Sequence, residues 1–455
     1  MSFDIFLSIC IIFSLGFGTL FLAYVFAIII PFLRRKPGAA GDPDDFEWHF
    51  ALPCRDEEVV IGDTITYMRS TFPECHVWVI DDDSDDATAE IVHGFTRTDS
   101  RVHLIQRRRP EARTGKAHAL NFGYKIILKS LQGQDLSKII LVVCDADGRP
   151  SSNLQEVCAG PGLFGDDEIA AVQVEVRMSN RVVHTPYPEK GKFANLFART
   201  FVRLQDLEFR GPISAIQMSR KYSGTVNVGG NGQLNRMSAL AEIADEKGPW
   251  RGSLLEDFEL GIHFIMAGWH NGYTPDAWVD QEALYSVRRF LTQRARWSQG
   301  TMQCNSYLKR IWLNPNVTNL GALELSYFLI QPWVTLLGTV LYPVPMILMA
   351  YNFTMYPAFA AHFLANGGAI LLTAYLVVGI GEFVVWGFLY RKRCEPEETV
   401  LTALGWGLSF FLYLYTVYII VWKAFYRIVK GQDGWVKTIR NAENVSVNEA
   451  IARPE

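Results

Sequence analysis

Charge is missing from three stretches of this chain. Residues 5–33 carry none, residues 325–390 carry one acid, Glu382, and residues 399–422 carry none. About 20 apolar residues suffice to cross a bilayer, so these gaps point to a membrane protein. No basic leader precedes the first run, and the run is too long for a cleaved signal peptide; it is expected to stay as an anchor. The seven cysteines contain no Cys-x-x-Cys pair. Cys54, Cys75 and Cys144 are therefore expected as reduced core thiols. There is no strong charge excess: the net charge is -4 with 49% hydrophobic residues, which gives no sign of nucleic-acid binding. No internal repeat or low-complexity tract is visible.

What is present is a soluble-looking middle, roughly 45–320, after the first apolar run. Arg34, Arg35 and Lys36 follow that run at once, so the positive-inside rule places the middle in the cytoplasm and the N-terminus outside. Residues 325–390 have room for three helices, with turns near Pro343-Val344-Pro345 and Asn366-Gly367-Gly368. With 399–422 this makes four spans and a cytoplasmic tail, favoured by Lys423, Arg427, Lys430, Lys437 and Arg440. A three-span alternative puts Arg391, Lys392 and Arg393 inside instead. The expected division is an anchor (1–36), a cytoplasmic catalytic domain (45–285), interfacial helices (286–322), membrane helices (323–422) and a tail (423–455).

The middle alternates strand and helix patterns. Residues 48–54, 76–80, 101–106, 138–144 and 169–178 read as short buried strands. Residues 87–95 and 115–131 read as helices, with apolar positions three and four apart. This order predicts an α/β fold with a parallel sheet. Ligands of such sheets bind beyond the carboxyl ends of the strands. Two acid clusters fall at such ends: "DDDSDD" at 81–86 and "DAD" at 145–147. Like charges this close repel, so each cluster needs an explanation. One is a solvated loop in which Asp85 or Asp86 caps the helix after it. A calcium loop of the EF-hand type needs glycine at its sixth position and glutamate at its twelfth. Counted from Asp81 these are Asp86 and Val92, so it fails. The third is a nucleotide-sugar site, where Asp-x-Asp holds a divalent ion that bridges two phosphates.

Taken in order, "ALPCRDEE", "DDDSDD", "TGKAHALNFG", "DADG", "VGGNGQLNR", "LLEDFELG" and "QRARW" are more specific than any one of them. Together they resemble the membrane-embedded family 2 glycosyltransferases of GT-A (Rossmann-like) fold, the group of cellulose, chitin and hyaluronan synthases. The resemblance covers about residues 48–300 and the flanking spans. It implies that Ala51, Pro53 and Glu57 line a uridine pocket, and that Asp83 or its neighbour Asp82 holds uracil and ribose. Lys116 approaches the donor diphosphate, Asp145 contacts the nucleotide sugar and Asp147 ligates Mg2+ or Mn2+. Asp257 is the general base. Gln293, Arg296 and Trp297 hold the diphosphate and the acceptor sugar. Gly230, Asn231 and Glu256 belong to the acceptor side, where Gly229, Gly230 and Gly232 permit close backbone approach.

The chemistry suits these roles. A sugar hydroxyl is a poor nucleophile, so a carboxylate must take its proton. The leaving diphosphate develops charge that a metal and an arginine stabilise. Plainer alternatives stand beside these. Asp257 caps a helix, Trp297 anchors an interfacial helix, and Arg288, Arg289, Arg294 and Arg296 meet lipid headgroups. Arg107–Arg109 is a solvated basic run. Glu382 lines a polymer path or pairs with hydroxyls of another span. Two features depart from the cellulose-synthase pattern. Leu255 stands where threonine is usual, and "VGGNGQLNR" replaces a cysteine-containing acceptor loop. With only about thirty residues after the last span, no cyclic-dinucleotide-binding domain is expected.

The resemblance therefore implies a processive, inverting synthase at the plasma membrane. It would polymerise a UDP-hexose, UDP-glucose first and UDP-N-acetylglucosamine second, and export the polysaccharide through its helices. The alternative is a single-transfer enzyme that glycosylates a membrane lipid. A degenerate scaffold subunit is the third class, and the presence of every acid named above argues against it.

Overall fold

The computed structural model describes residues 3–432 and Asn441. Its strands are β1 Glu47–Cys54, β2 His76–Asp82, β3 Val102–Arg107, β4 Ile139–Val143, β5 Arg149–Pro150, β6 Ile169–Met178, β7 Gln233–Arg236 and β8 His270–Gln281. The helices begin with α1 Phe3–Arg34, α2 Ile61–Thr71, α3 Thr88–Thr96, α4 Lys116–Ser130, α5 Leu154–Cys158, α6 Lys192–Glu208, α7 Ser214–Ser223, α8 Met237–Ile243 and α9 Glu256–Ala267. They continue with α10 Val287–Gln303, α11 Leu308–Leu313, α12 Asn319–Leu341, α13 Pro343–Met355, α14 Pro357–Phe363, α15 Ala369–Cys394, α16 Val400–Leu414 and α17 Thr416–Val429.

Apolar strand runs build the sheet. Ile139 to Val143 are all buried, as expected of a central strand covered on both faces. Side chains alternate between faces. Phe50, Leu52, Val77 and Val79 enter one core, whereas Ala51, Trp78 and Ile80 enter the other. The strand order is β3-β2-β1-β4-β7-β6-β8-β5. The first four strands are parallel, as the sequence predicts. The rest corrects the expectation of a parallel sheet: β7 is antiparallel to both β4 and β6, β6 and β8 are parallel, and β5 is antiparallel to β8. β7 is hidden from a periodicity search because it reads Gln-Leu-Asn-Arg, yet all four residues are buried. Arg236 is 1% exposed. Its guanidinium donates to the carbonyls of Ile169, Ser137, Phe164 and Asp166 at 2.6–2.9 Å, which meets the demand that buried polar groups be hydrogen-bonded.

Among the described residues, two helical runs are long and apolar enough to cross a membrane, Asn319–Met355 and Val400–Val429. The turn expected at Pro343-Val344-Pro345 does not form. Pro343 takes the first position of α13, where proline costs no hydrogen bond, and the chain runs on to Met355. The break at Asn366-Gly367 does form, with Gly367 at φ +92°. Residues 325–390 thus hold most of the 37-residue run Asn319–Met355, the seven-residue α14 and most of α15, not three crossing helices. The expected cytoplasmic tail, with Lys437 and Arg440, lies outside the described residues.

The apolar helices and the α/β domain share a core. Val25, Ile28 and Phe32 of α1 pack with Phe201 and Leu204 of α6, Met218 of α7, Trp386 of α15 and Phe410 and Tyr413 of α16. α6 and α7 are joined by a π-type turn, Phe209–Ile213. Such turns recur at functional sites, and this one borders the cavity described next.

Candidate active site

A cavity of about 720 Å³ opens beyond the carboxyl ends of β1, β2 and β4. The loops at those ends position Pro53, Asp82, Asp145 and Asp147 on its wall. The start of α4 adds Lys116, the start of α9 adds Glu256 and Asp257, and one face of α10 adds Gln293, Arg296 and Trp297. Glu57, Gly230 and Asn231 also line it. These positions lie up to 244 residues apart in sequence, from Pro53 to Trp297. Two residues named from the sequence are not among those lining it. Ala51 is buried in the core at 1% exposure, and Asp83 faces a set of arginines.

That arginine set resolves the first acid cluster. Arg107 is 5% exposed and donates to Asp82. Arg109 sits 2.6 Å from Asp83, and Arg113 2.6 Å from Asp85; Arg108 reaches Asp83 at 3.3 Å. Of the run Arg107–Arg109, Arg107 is buried in an ion pair, whereas Arg108 and Arg109 stay 60% exposed while reaching the acids. β2 and β3 are neighbours in register, Asp82 opposite Arg107, so the two runs meet by sheet pairing. The backbone amide of Arg113 also donates to Asp82, at 3.0 Å. Arg108, Arg109 and Arg113 hold the Asp83 carboxyl below its ordinary value against the opposing effect of burial. The helix after the cluster is not capped by the side chain of its N-cap residue, Ala87; instead Asp86 accepts from the amide of Thr88 at 3.0 Å.

Around the second cluster the balance differs. Lys116 Nζ donates to Asp145 Oδ1 at 2.7 Å and to the Gly230 carbonyl at 2.8 Å. Burial opposes its charge, but Asp145 and Glu256 outweigh burial and raise its pKa. A Cβ built on Gly230 would sit 3.0 Å from Lys116 Nζ and 3.2 Å from Asp257 Oδ2. Any side chain there would press on both. Asn231 is spent on support: it accepts from the Asp145 amide at 3.1 Å and donates to Gln281 at 2.9 Å. Gln173, which the sequence did not single out, accepts from the Gly229 amide at 2.6 Å and donates to the Asn231 carbonyl at 3.0 Å. A polar residue on a strand otherwise rich in apolar ones was the signal available.

Asp257 accepts from the Phe258 amide at 2.7 Å. Burial raises its pKa. Burial, and then the charge of Asp257, push Glu256 up to about 7. Two adjacent carboxyls in a poorly hydrated wall resist joint ionisation. α10 approaches this loop closely, since a Cβ on Gly300 would lie 2.7 Å from Leu255.

Asp147 accepts from the Glu282 amide at 3.1 Å. Among the described residues there is no group of three or more His, Cys, Asp or Glu placed to hold a metal. Mg2+ needs no such cage, because one or two carboxylates complete its shell with phosphate oxygens and water. Asp145 and Asp147 fit that pattern. Asn441 bonds the segment just after β8. Its amide donates to Glu282 at 3.3 Å, and its side chain bonds Tyr285 and Ala283 at 3.2 and 2.7 Å.

Beyond Trp297 the cavity turns apolar. It runs between α1, α12, α15 and α16, lined by Phe21, Val25, Ile28, Phe328, Phe383, Trp386, Phe410 and Leu414.

This fold belongs to a known class. The chain belongs to the family described as glycosyltransferase like family 2, whose model matches residues 48–300, more than half of its length. Among its relatives is the beta-monoglucosyldiacylglycerol synthase of Synechocystis sp., 27% identical over 357 residues, 76% of this chain and 63% of that one. Another is the poly-beta-1,6-N-acetyl-D-glucosamine synthase of Staphylococcus epidermidis, 25% identical over 255 residues, 55% of this chain and 53% of that one. The chain thus spans less than two thirds of the length of these relatives. The mannosyltransferase PcManGT from Pyrobaculum calidifontis, solved with GDP-Man and Mn2+, shares the fold. Its TM-score is 0.54 at 16% identity, over 94% of this chain and 99% of that one.

Proposed function

We propose that the protein transfers a hexosyl group from a UDP-sugar, UDP-glucose first, to a hydroxyl of a membrane lipid, with inversion at the anomeric carbon. The carrying observation is that one continuous cavity joins the carboxylates of the sheet ends to an apolar cleft between helices. A hydrocarbon tail gains from burial in such a cleft; a hydrated sugar chain does not. The relative named as a glucosyldiacylglycerol synthase supports the same acceptor class. In this reading α1, α12–α13 and α15 cross the membrane, and α16–α17 lies against the domain, with Glu395 just before it paired to Arg203 and its end tied by Arg427 to Gln299. The catalytic domain, 45–285, then lies at the cytoplasmic face of the plasma membrane, with 286–322 at the interface.

Pro53, Glu57 and Asp82 take the nucleoside end, with Ala51 behind them in the strand. Asp83 supports Asp82 through Arg113, whose amide bonds Asp82 and whose side chain bonds the Asp83 carbonyl. Lys116 and Arg296 take the diphosphate, with Gln293 beside them, and Asp145 contacts the nucleotide sugar. Asp147, helped by Asp145, would hold Mg2+ or Mn2+, which supplies charge stabilisation to the departing diphosphate. Asp257 accepts the proton of the acceptor hydroxyl as its oxygen bonds to the anomeric carbon. The bond from that carbon to the diphosphate breaks, and UDP leaves. Trp297, Glu256 and the Gly230-Asn231 backbone orient the acceptor.

Polymer synthesis is the second reading, favoured by Trp297 as a platform for a sugar ring and by the relative that makes a poly-N-acetylglucosamine. Purified protein incubated with labelled UDP-glucose or UDP-N-acetylglucosamine, Mg2+ and diacylglycerol decides between them. A single-sugar glycolipid supports the first; a long product soluble in water overturns it.

A further inference from the structure

The motif "QRARW" contains an arginine that neither the diphosphate nor the base needs. Arg294 was a candidate for lipid headgroups, yet it turns inward and is 10% exposed. Its Cζ lies 4.3 Å from the ring centre of Trp297 and 5.3 Å from that of Phe209. Phe209 meets Trp297 edge-on at 6.5 Å. Arg294 Nη2 donates to Glu208 Oε2 at 2.7 Å. Tyr413, on α16, donates its hydroxyl to that same oxygen at 2.6 Å. One carboxylate oxygen thus joins a helix of the apolar bundle to the arginine stacked on the acceptor platform.

We propose that Arg294, Glu208 and Tyr413 are positioning residues that fix the tilt of Trp297 and couple the acceptor platform to the seating of α16. The proposal rests on the reading that Trp297 carries the acceptor. A cation over an indole face is drawn to it electrostatically. The attraction alone leaves the ring free to slide. Glu208 fixes where the guanidinium lies, through a short charge-assisted bond. Tyr413 in turn leaves Glu208 one preferred position. The hydroxyl belongs to the helix that also gives Phe410 and Leu414 to the apolar cleft. An occupant that shifts α16 therefore acts on Trp297 through this chain. Phe209 completes the clamp from the π-type turn. Arg294 Nε is buried with no hydrogen-bond partner among the described residues.

The test uses the full chain in detergent or lipid nanodiscs. Protein labelled with 5-fluorotryptophan gives a Trp297 signal, assigned by its loss in Trp297→Phe. Glu208→Gln, Arg294→Lys and Tyr413→Phe should each move that signal while the melting temperature holds. Glu208→Gln and Arg294→Lys should raise the KM for diacylglycerol roughly tenfold with UDP affinity unchanged. Tyr413→Phe should add nothing to Glu208→Gln in the double variant, because it acts through the same oxygen. An unmoved Trp297 signal, additive effects in the double variant, or equal losses of UDP affinity and transfer would each overturn the proposal. If the wild type extends a polymer rather than glucosylating a lipid, the lipid reading fails alone. The fluorine signal still decides the positioning set.

Discussion

Asp257→Asn is the perturbation that separates chemistry from architecture. The amide keeps the size of the side chain and its oxygen can still accept from the Phe258 amide, a 2.7 Å bond in the wild type. What is lost is a proton acceptor and one negative charge. Turnover should fall about 10²–10⁴-fold, equivalent to about 3–5 kcal/mol of barrier. UDP affinity should hold, because Lys116 retains Asp145 and the Gly230 carbonyl. The pH profile sharpens the test. Asp257 must be ionised to act, and burial raises its pKa above the ordinary aspartate value. Wild-type turnover should therefore drop as pH falls through a point above 3.8. Glu256, pushed to about 7 by burial and by Asp257, carries about 3 kcal/mol against its ionised form. Both acids bind protons more tightly folded than unfolded. Their contribution to stability is thus present at low pH and is lost as pH rises from about 4.5 towards 7. Without the charge at 257, Glu256 should titrate lower, and the melting temperature should fall less between pH 5 and 7.5. Single-turnover UDP release, UDP titration and melting curves across pH measure all three. Turnover within tenfold of wild type, or UDP affinity falling in step with turnover, would refute the base assignment.

Three further outcomes are expected. Asp147→Ala should abolish the stimulation of UDP release by Mg2+ or Mn2+; full activity in metal titrations would show that Asp147 holds no ion. Trp297→Ala should leave UDP binding intact while transfer to acceptor fails, whereas Arg296→Ala should weaken UDP binding through loss of a charge-assisted phosphate contact; UDP titrations of both check the split. Arg107→Ala strands Asp82, 6% exposed, as an unpaired buried charge and should destabilise the domain by about 3–5 kcal/mol. An unchanged melting temperature would show that Asp82 is satisfied some other way.

Sequence patterns reveal this fold where apolar runs dominate and fail where polar residues are buried. β1, β2, β4 and β6 are rich in apolar residues, and their ends fall within a residue or two of the expected ones. β7 and β8 carry Gln233, Asn235, Arg236, Asn271 and Thr274 inside the sheet, so periodicity cannot see them, and the antiparallel insertion is lost with them. The C-terminal helices mislead for another reason. Proline reads as a turn, yet Pro343 sits at a helix start, where it is tolerated. The motifs single out Lys116, Asp145, Asp147, Gly230, Asp257 and Trp297, and the fold brings these residues to one cavity. No periodicity could have supplied that convergence. Arg294, Glu208 and Tyr413 were not legible, because their partnership spans a helix of the domain and a helix of the apolar bundle.

The two acid clusters look alike as text and part company in space. Asp82, Asp83 and Asp85 each meet an arginine that sheet pairing or the following loop delivers. Their charge is balanced inside the protein, and the balance ties the ends of β2 and β3 together beside the cavity. Only Asp82 then faces the cavity, held at the required angle by Arg107 and the Arg113 amide. Around Asp145, Glu256 and Asp257 the nearby cations are Lys116 and Arg296. Lys116 bonds Asp145, and the neighbour of Glu256 along the chain is another acid. Burial makes this arrangement costly, which is why Glu256 gives up its charge up to about pH 7. Folding alone has no use for such a cost; a reaction that must take a proton from a hydroxyl and receive a charged donor does. In the proposed reading the second cluster, not the denser one, is therefore the reaction centre.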